Sequence, residues 1–260
     1  MRSIMTVALT VAGSDSGGGA GIQADLKTFR ACGVFGTSAI TCITAQNPRR
    51  VSAVHPVPSA IVAEQMERVL EAFPVRAAKT GMLYDAGIIA AVARTFQQHR
   101  FRQLVVDPVM VATSGAVLLK PDAIKALTTR LFPLAAVVTP NLAEAEVLGG
   151  QKIGSVEDLR KTAQALAREY GVPFLIKGGH LPGTKQAVDV LATGRQLYEF
   201  SAPVVRGVQP HGAGCTFSAA IAANLALGTD LTGSICAAKR FITGAIRNTV
   251  RLGRLQALKV

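Results

Sequence analysis

The sequence predicts an α/β fold, a three-layer α/β/α sandwich around a mainly parallel central sheet. Three observations predict it. Short apolar runs of strand length alternate with longer helical patterns along all 260 residues, the order of a parallel sheet covered by helices on both faces. Nearly every strand-like run ends in polar or glycine residues, and in open α/β sheets ligands bind beyond the carboxyl ends of strands. Hydrophobic residues make up 49% of the chain and charged residues 17%, which supports a large core and excludes a disordered or coiled-coil chain. No repeat of about 20–50 residues interrupts the pattern. No low-complexity linker does either, so one domain over residues 1–260 is expected.

The elements follow in order. Residues 7–12 read as the first strand. Arg2 and the apolar run 4–12 also have the outline of a short signal peptide. That run leads straight into a polar glycine loop, so a buried strand is expected. Residues 22–32 form the first helix, with Ile22, Leu26 and Phe29 on one face. Further strands are expected at 39–44, 77–80, 104–107, 136–139, 174–177 and 188–193. Helices are expected at 61–73, 86–99, 123–131 and 156–170. The last of these has Ser155 as N-terminal cap and Gly171 as stop. Residues 194–207 read as an extra hairpin ahead of an alanine-rich helix. No apolar run is long enough to span a membrane.

Cys32, Cys42, Cys215 and Cys236 contain no CxxC pair, which argues against a zinc ribbon or a disulfide scaffold. A reducing cytoplasm is the expected location. The net charge is +12, and Lys239, Arg240, Arg247, Arg251, Arg254 and Lys259 follow Asp230 with no further acid. A solvated, arginine-bearing terminal helix is the expectation; attraction of anionic substrates or of nucleic acid is the alternative. The chain has no tryptophan, no zinc finger and no aromatic stacking motif, so nucleic acid is not expected as ligand.

The chemistry gathers at the strand ends. His211-Gly212-Ala213-Gly214-Cys215-Thr216 turns on glycines directly into a helix. Unpaired N–H groups at a helix start carry partial positive charge and suit phosphate oxygens. A thiol at that position is expected to have a lowered pKa. Cys215 can also be read as a small buried hydrophobe or as an acylating nucleophile. The segment from Gly17 to Asp25 suggests a dinucleotide fingerprint, but no acid lies between Asp25 and Glu64, where one about 20 residues on is required. A Walker A loop fails for want of Lys-Ser or Lys-Thr after a glycine. What remains is a glycine lip over a substrate with Asp25 near it, or a plain turn with Asp25 solvated. Asp107 ends a buried strand, where a charge needs a cation or metal. Asn141 and Glu144 share one side of a first helical turn. They suit magnesium, or Asn141 is a simple cap. Lys177 ends another strand, placed to neutralise phosphate or to stand exposed. Together these are the parts of phosphoryl transfer.

At this point the chain resembles the hydroxymethylpyrimidine/phosphomethylpyrimidine kinases of thiamine biosynthesis, within the ribokinase-like superfamily. The resemblance rests on Ala12-Gly13-Ser14-Asp15-Ser16-Gly17-Gly18-Gly19-Ala20-Gly21 with Gln23 and Asp25, then Thr44-Ala45-Gln46-Asn47 and Lys79-Thr80-Gly81-Met82. It continues with Val106-Asp107-Pro108-Val109-Met110, Thr139-Pro140-Asn141 with Glu144, Lys177-Gly178-Gly179-His180, and His211 to Thr216. It implies a homodimer that moves the γ-phosphate of ATP to 4-amino-5-hydroxymethyl-2-methylpyrimidine, and then phosphorylates the monophosphate. It implies that Gly13, Asp25 and Gln46 hydrogen-bond the pyrimidine and that Ala20, Met82 and Val109 pack near it. Asp107 and Glu144 would manage magnesium, with Asn141 and Lys177 on the nucleotide side. Cys215 would be the base, in place of the aspartate of sugar kinases, and Gly212, Ala213 and Gly214 the anion hole. The chain departs from the family at Ala213, often threonine, and at Ala112-Thr113-Ser114-Gly115, where a lysine is common. Bacterial pyridoxal kinases share nearly the same motifs and are the alternative within catalysis. A non-catalytic binding protein on the same fold is a third reading, against which the intact Asp107, Asn141, Glu144 and Cys215 set argues.

Overall fold

The computed structural model describes residues 5–110, 119, 121–179, 181, 185–208, 211–253 and 255–260. Arg2, residues 112–115, His180 and Arg254, which the sequence singles out, lie outside them. The chain runs β1 (Val7–Asp15), α1 (Gly21–Ala31), β2 (Phe35–Asn47), β3 (Arg50–Pro56), α2 (Ser59–Ala72), β4 (Val75–Thr80) and α3 (Ala86–Gln98). It continues with β5 (Leu104–Val106), α4 (Pro121–Ala126), β6 (Val137–Val138), α5 (Leu142–Gly149), α6 (Val156–Tyr170) and β7 (Phe174–Gly178). It ends with β8 (Gln186–Thr193), β9 (Gln196–Pro203), α7 (Ala213–Ala226), α8 (Leu231–Arg247), β10 (Val250–Leu252) and β11 (Leu255–Ala257).

Nine strands form one sheet in the order β3-β2-β1-β4-β5-β6-β7-β8-β9. The run from β2 to β7 is parallel. β3 and β8 join antiparallel, and the hairpin expected within 194–207 is instead a single strand, β9, that turns back antiparallel on β8. Alternation along the strands divides the core. Leu9, Val11, Leu104, Val106, Phe174 and Ile176 pack with Val62, Ile88, Val92, Leu159 and Leu166 of α2, α3 and α6. Ala8, Val105, Leu175 and Leu191 pack on the opposite face with Phe29, Phe217, Ile221 and Ile235 of α1, α7 and α8. Period-two side chains on strands covered from both faces give the three expected layers. α7 is buried nearly all round, with Ala219, Ala220, Ala222 and Ala223 inaccessible. Small side chains let it lie close between the sheet and α8.

Local rules explain the helix ends. The Ser155 side chain accepts from the Asp158 N–H, and Gly171 closes α6 at φ 69°. Three further expectations need correction. β3 was not expected; it is an edge strand whose residues are exposed or half-buried, so it shows no apolar alternation. The helix expected at 123–131 begins at Pro121 and widens into a π turn at Leu127–Leu131. The basic tail is not one solvated helix. α8 stops at Arg247, β10 and β11 form a small hairpin, and Lys239 is half-buried, 2.6 Å from Asp189.

The parallel strands bring their carboxyl ends to one edge. Asp15, Thr80, Asp107, Asn141 and Gly178 therefore meet the start of α7 there.

Candidate active site

The glycine loop after β1 is wound around an internal anion. Asp15 Oδ1 accepts from the Gly17 N–H at 2.8 Å, and Oδ2 from Gly19 at 3.2 Å and Ala20 at 2.8 Å. His211 Nε2 lies 2.9 Å from the same Oδ2. Burial pushes the Asp15 carboxyl up, but His211 and the loop N–H groups outweigh it and hold it below its ordinary range. His211 also lies 3.2 Å from the Gln46 amide, whose Oε1 accepts from the Thr44 hydroxyl. The loop, Gln46 and the turn into α7 are thus one hydrogen-bonded assembly, not a free lip.

Gly212 is the N-cap of α7 at φ 84°, and no side chain caps this helix. A Cβ there would collide with the Gly19 carbonyl oxygen. Gly212→Ala is expected to cost about 1–3 kcal/mol of stability for the left-handed backbone alone, and to push the turn off the glycine loop. Urea unfolding and steady-state kinetics should show both losses together. An unchanged kcat would mean that the turn tolerates displacement. The first intrahelical bond runs from the Thr216 N–H to Gly212 O. The earlier N–H groups, at Ala213, Gly214 and Cys215, are the unpaired donors of a helix start.

The Gly21 N–H, at the first residue of α1, is one of the two influences that favour the Cys215 thiolate. α1 has no side-chain cap of its own. The expected lowering of the thiol pKa is overturned. Burial pushes it above the ordinary value; Lys79 and the Gly21 N–H pull it down, while Asp25 and Asp107 push it further up. Desolvation of a thiolate here exceeds the benefit of two helix starts.

Beyond Cys215 lies a second charged group. Lys177 Nζ is 2.8 Å from Asp107 Oδ1, and the Ser218 hydroxyl donates to Oδ2 at 2.9 Å. Asp107 meets the cation that its burial requires, and Lys177 is no ordinary exposed lysine. A Cβ on Gly214 would sit 3.4 Å from Lys177 Nζ, which puts the lysine beside the α7 turn. Burial disfavours the ammonium, but Asp107 and Glu144 outweigh it and hold Lys177 above its ordinary value. Asn141 is indeed a cap. Its Oδ1 accepts from the Glu144 N–H, while Glu144 Oε2 accepts from the Asn141 N–H in a reciprocal capping box. Glu144 Oε1 accepts from the Met110 N–H. Burial, with Asp107 adding to it against Lys177, pushes Glu144 up to about 7. Among the described residues, no three His, Cys, Asp or Glu side chains gather to hold a metal.

Under the loop, Gly13, Cys42 and Met82 are neighbours: a Cβ on Gly13 would lie 2.7 Å from Cys42 Sγ and 3.5 Å from Met82 Sδ. Ala20 is half-buried at the loop's end, and Val109 is half-buried after β5, its N–H bonded to Asp107 O. Asp25 is placed differently from both readings of it. It is neither solvated nor facing open space, with no accessible surface. Its carboxylate accepts from Thr10 at 2.6 Å and from Lys79 at 2.9 and 3.0 Å.

The family model for phosphomethylpyrimidine kinase matches residues 15–258. The chain belongs to the phosphomethylpyrimidine kinase family. It is 49% identical over 247 residues to the hydroxymethylpyrimidine/phosphomethylpyrimidine kinase of Rhizobium meliloti, covering 95% of this chain and 92% of that one. It is 50% identical over 246 residues to a bifunctional thiamine biosynthesis protein of Geobacter sulfurreducens, covering 95% of this chain but spanning only 50% of that protein. Its fold is similar to that of Bacillus subtilis pyridoxal kinase in complex with ADP. The TM-score is 0.91 at 39% identity, over 98% of this chain and 97% of the other.

This member of the phosphomethylpyrimidine kinase family contains site residues that sequence reasoning did not single out. They are Asp15, Lys79, His211 as the partner of Asp15 and Gln46, and Ser218. The one local signal was a lysine inside the apolar strand Val75–Thr80. The other pairings join residues far apart in the chain.

Proposed function

We propose that this kinase transfers the γ-phosphate of ATP to the hydroxymethyl group of 4-amino-5-hydroxymethyl-2-methylpyrimidine, and then phosphorylates the monophosphate to the diphosphate. The observation that carries this reading is the placement of Cys215. Cys215 lies in the first turn of α7, four residues after His211, which stands 3.2 Å from Gln46, and next to Gly214, where a Cβ would stand 3.4 Å from Lys177 Nζ. Gln46 suits the pyrimidine because its amide can both donate to and accept from an aminopyrimidine edge. Gly13, Ala20, Met82 and Val109 supply the surface around the ring. Asp25 has no accessible surface and is bound by Thr10 and Lys79, so it is not placed to hydrogen-bond the ring. Cys215 takes the hydroxymethyl proton, and burial makes its thiolate the stronger base. The N–H groups of Ala213, Gly214 and Cys215, with Lys177, receive the charge on the transferring phosphoryl oxygens.

Asp107 and Glu144 are too few to close a magnesium site alone. They fit an ion that is held by one or two carboxylates together with substrate phosphates and waters. When bound there, magnesium would neutralise phosphate charge. Asn141 stands beside Glu144 on the nucleotide side. Four free cysteines accord with a reducing cytoplasm, and among the described residues no helix is long and apolar enough to cross a membrane. A homodimer would have the exposed Phe35, Ile43, Ile61 and Phe73 to cover.

The fold similarity to pyridoxal kinase keeps a second substrate in view. The test is ATP consumption measured side by side with hydroxymethylpyrimidine, its monophosphate and pyridoxal. Turnover of both pyrimidines is expected. Turnover of pyridoxal alone would replace the reading, and no turnover of any would sink it.

A further inference from the structure

Two buried carboxylates stand near Lys177, and only one of them holds it. Its Nζ lies 2.8 Å from Asp107 Oδ1. On its other side β7 pairs antiparallel with β8, and the residue directly opposite Lys177 is Asp189. Residues so placed share one face of the sheet, with Cβ atoms about 4.5–5.5 Å apart, and opposite charges there pair readily. The face is the one covered by α7 and α8. Leu175 and Leu191, on the same side of β7 and β8, pack there with Phe217 and Ile235. Asp189 is only 3% exposed, so its charge needs a cation. The flexible four-carbon stem of Lys177 can reach such a partner.

A different cation holds Asp189. Lys239 of α8 donates to its Oδ2 at 2.6 Å, and its Oδ1 accepts from the Gly178 N–H at 3.0 Å. Both oxygens are thereby committed. Lys239 belongs to the basic stretch after Asp230, to which the transfer steps assign nothing.

We propose that Lys239 is a positioning residue for Lys177: by neutralising Asp189 it keeps that carboxylate from capturing Lys177, so the ammonium stays with Asp107 beside the α7 turn. Gly214 marks that place, since a Cβ there would stand 3.4 Å from Lys177 Nζ. The effect on rate rests on the reading of Lys177 as a phosphate-side lysine; the contest of two carboxylates for one ammonium rests on the geometry alone. The two members of the Lys239–Asp189 pair are then unequal. Removing Lys239 frees a carboxylate opposite Lys177. Replacing Asp189 by asparagine frees none and still offers an oxygen to the Gly178 N–H. A pair that only braced β8 against α8 would give the same result whichever member was lost.

The test uses the full chain with Lys239→Met, with Asp189→Asn and with both. Circular dichroism checks folding. Lys239→Gln, which can still donate to Asp189 but brings no charge, takes over where Lys239→Met does not fold. Crystal structures read the position of Lys177 Nζ, and steady-state kinetics compares KM for ATP with KM for the pyrimidine. In Lys239→Met, Nζ should lie on Asp189. KM for ATP should rise about tenfold, the loss of one charged hydrogen bond, with KM for the pyrimidine unchanged. Asp189→Asn and the double variant should keep Nζ on Asp107 and KM for ATP near that of the unaltered protein. Nζ still on Asp107 in Lys239→Met overturns the proposal. So does an equal rise of KM for ATP in the two single variants. Nζ moved to Asp189 with KM for ATP unmoved supports the proposal and removes Lys177 from the phosphate site.

Discussion

Cys215→Ala is expected to lower kcat by about 10²–10⁴-fold, the range for a positioned general base, with little change in KM. The argument rests on what else is near. Asp25 has no accessible surface and is bound by Lys79 and Thr10. Asp107 is held by Lys177 and Ser218. Glu144 is committed to a capping box and to the Met110 N–H. His211 is shared between Asp15 and Gln46. The three carboxylates are already occupied, and His211 is held through Nε2, with only its buried Nδ1 unpaired among the described residues, so alanine leaves no free carboxylate to replace the thiol. The anion-binding N–H groups are backbone and survive the change, which is why binding should hold while the chemical step fails. Cys215→Ser keeps size and polarity but offers a hydroxyl far harder to ionise, so it should not restore the rate. Steady-state kinetics on both variants checks this. Near-normal kcat in Cys215→Ala would make the thiol a packing residue.

The layers of the fold were legible because they rest on local pattern. The apolar runs at Leu104–Val106 and Phe174–Gly178, the cap at Ser155 and the stop at Gly171 act over a few residues, and the structure has all of them. β3 was not legible, because an edge strand with no buried residue carries no alternation. The site was legible as a list of strand ends but not as a set of partners. Asp15 and His211 are 196 residues apart in the chain, and Asp25 and Lys79 are 54 apart. No spacing rule connects them. The thiol shows the limit most clearly. A helix start is a local feature and predicts a lowered pKa, whereas burial is set by the packing of α1 and β4 around α7, and burial prevails. Asp25 was misjudged for the same reason. Its helix position suggested solvent or substrate, and only the sheet beneath it supplied the lysine.

That buried pair should dominate the stability of the site. Removing one member leaves the other charged in a dry interior, which typically costs about 3–5 kcal/mol. The ceiling is the cost of neutralising the survivor. At pH 7 that is about 5 kcal/mol for a lysine of ordinary pKa 10.5 and about 4 kcal/mol for an aspartate of ordinary pKa 3.8, at 1.36 kcal/mol per unit. Asp25→Asn and Lys79→Met should therefore each lower the unfolding free energy by about 3–5 kcal/mol at pH 7, while the double variant should lose far less than their sum. The single variants also separate by pH. In Asp25→Asn the folded pKa of Lys79 is depressed below its unfolded value, so the unfolded state binds the extra proton and the deficit shrinks as pH rises toward 10.5. In Lys79→Met the folded pKa of Asp25 is raised, so the deficit shrinks as pH falls toward 3.8. Urea unfolding of the three variants at pH 5.5, 7 and 9 measures all of this. Additive losses, or deficits that share one pH slope, would mean that the two side chains are not an ion pair in the folded protein.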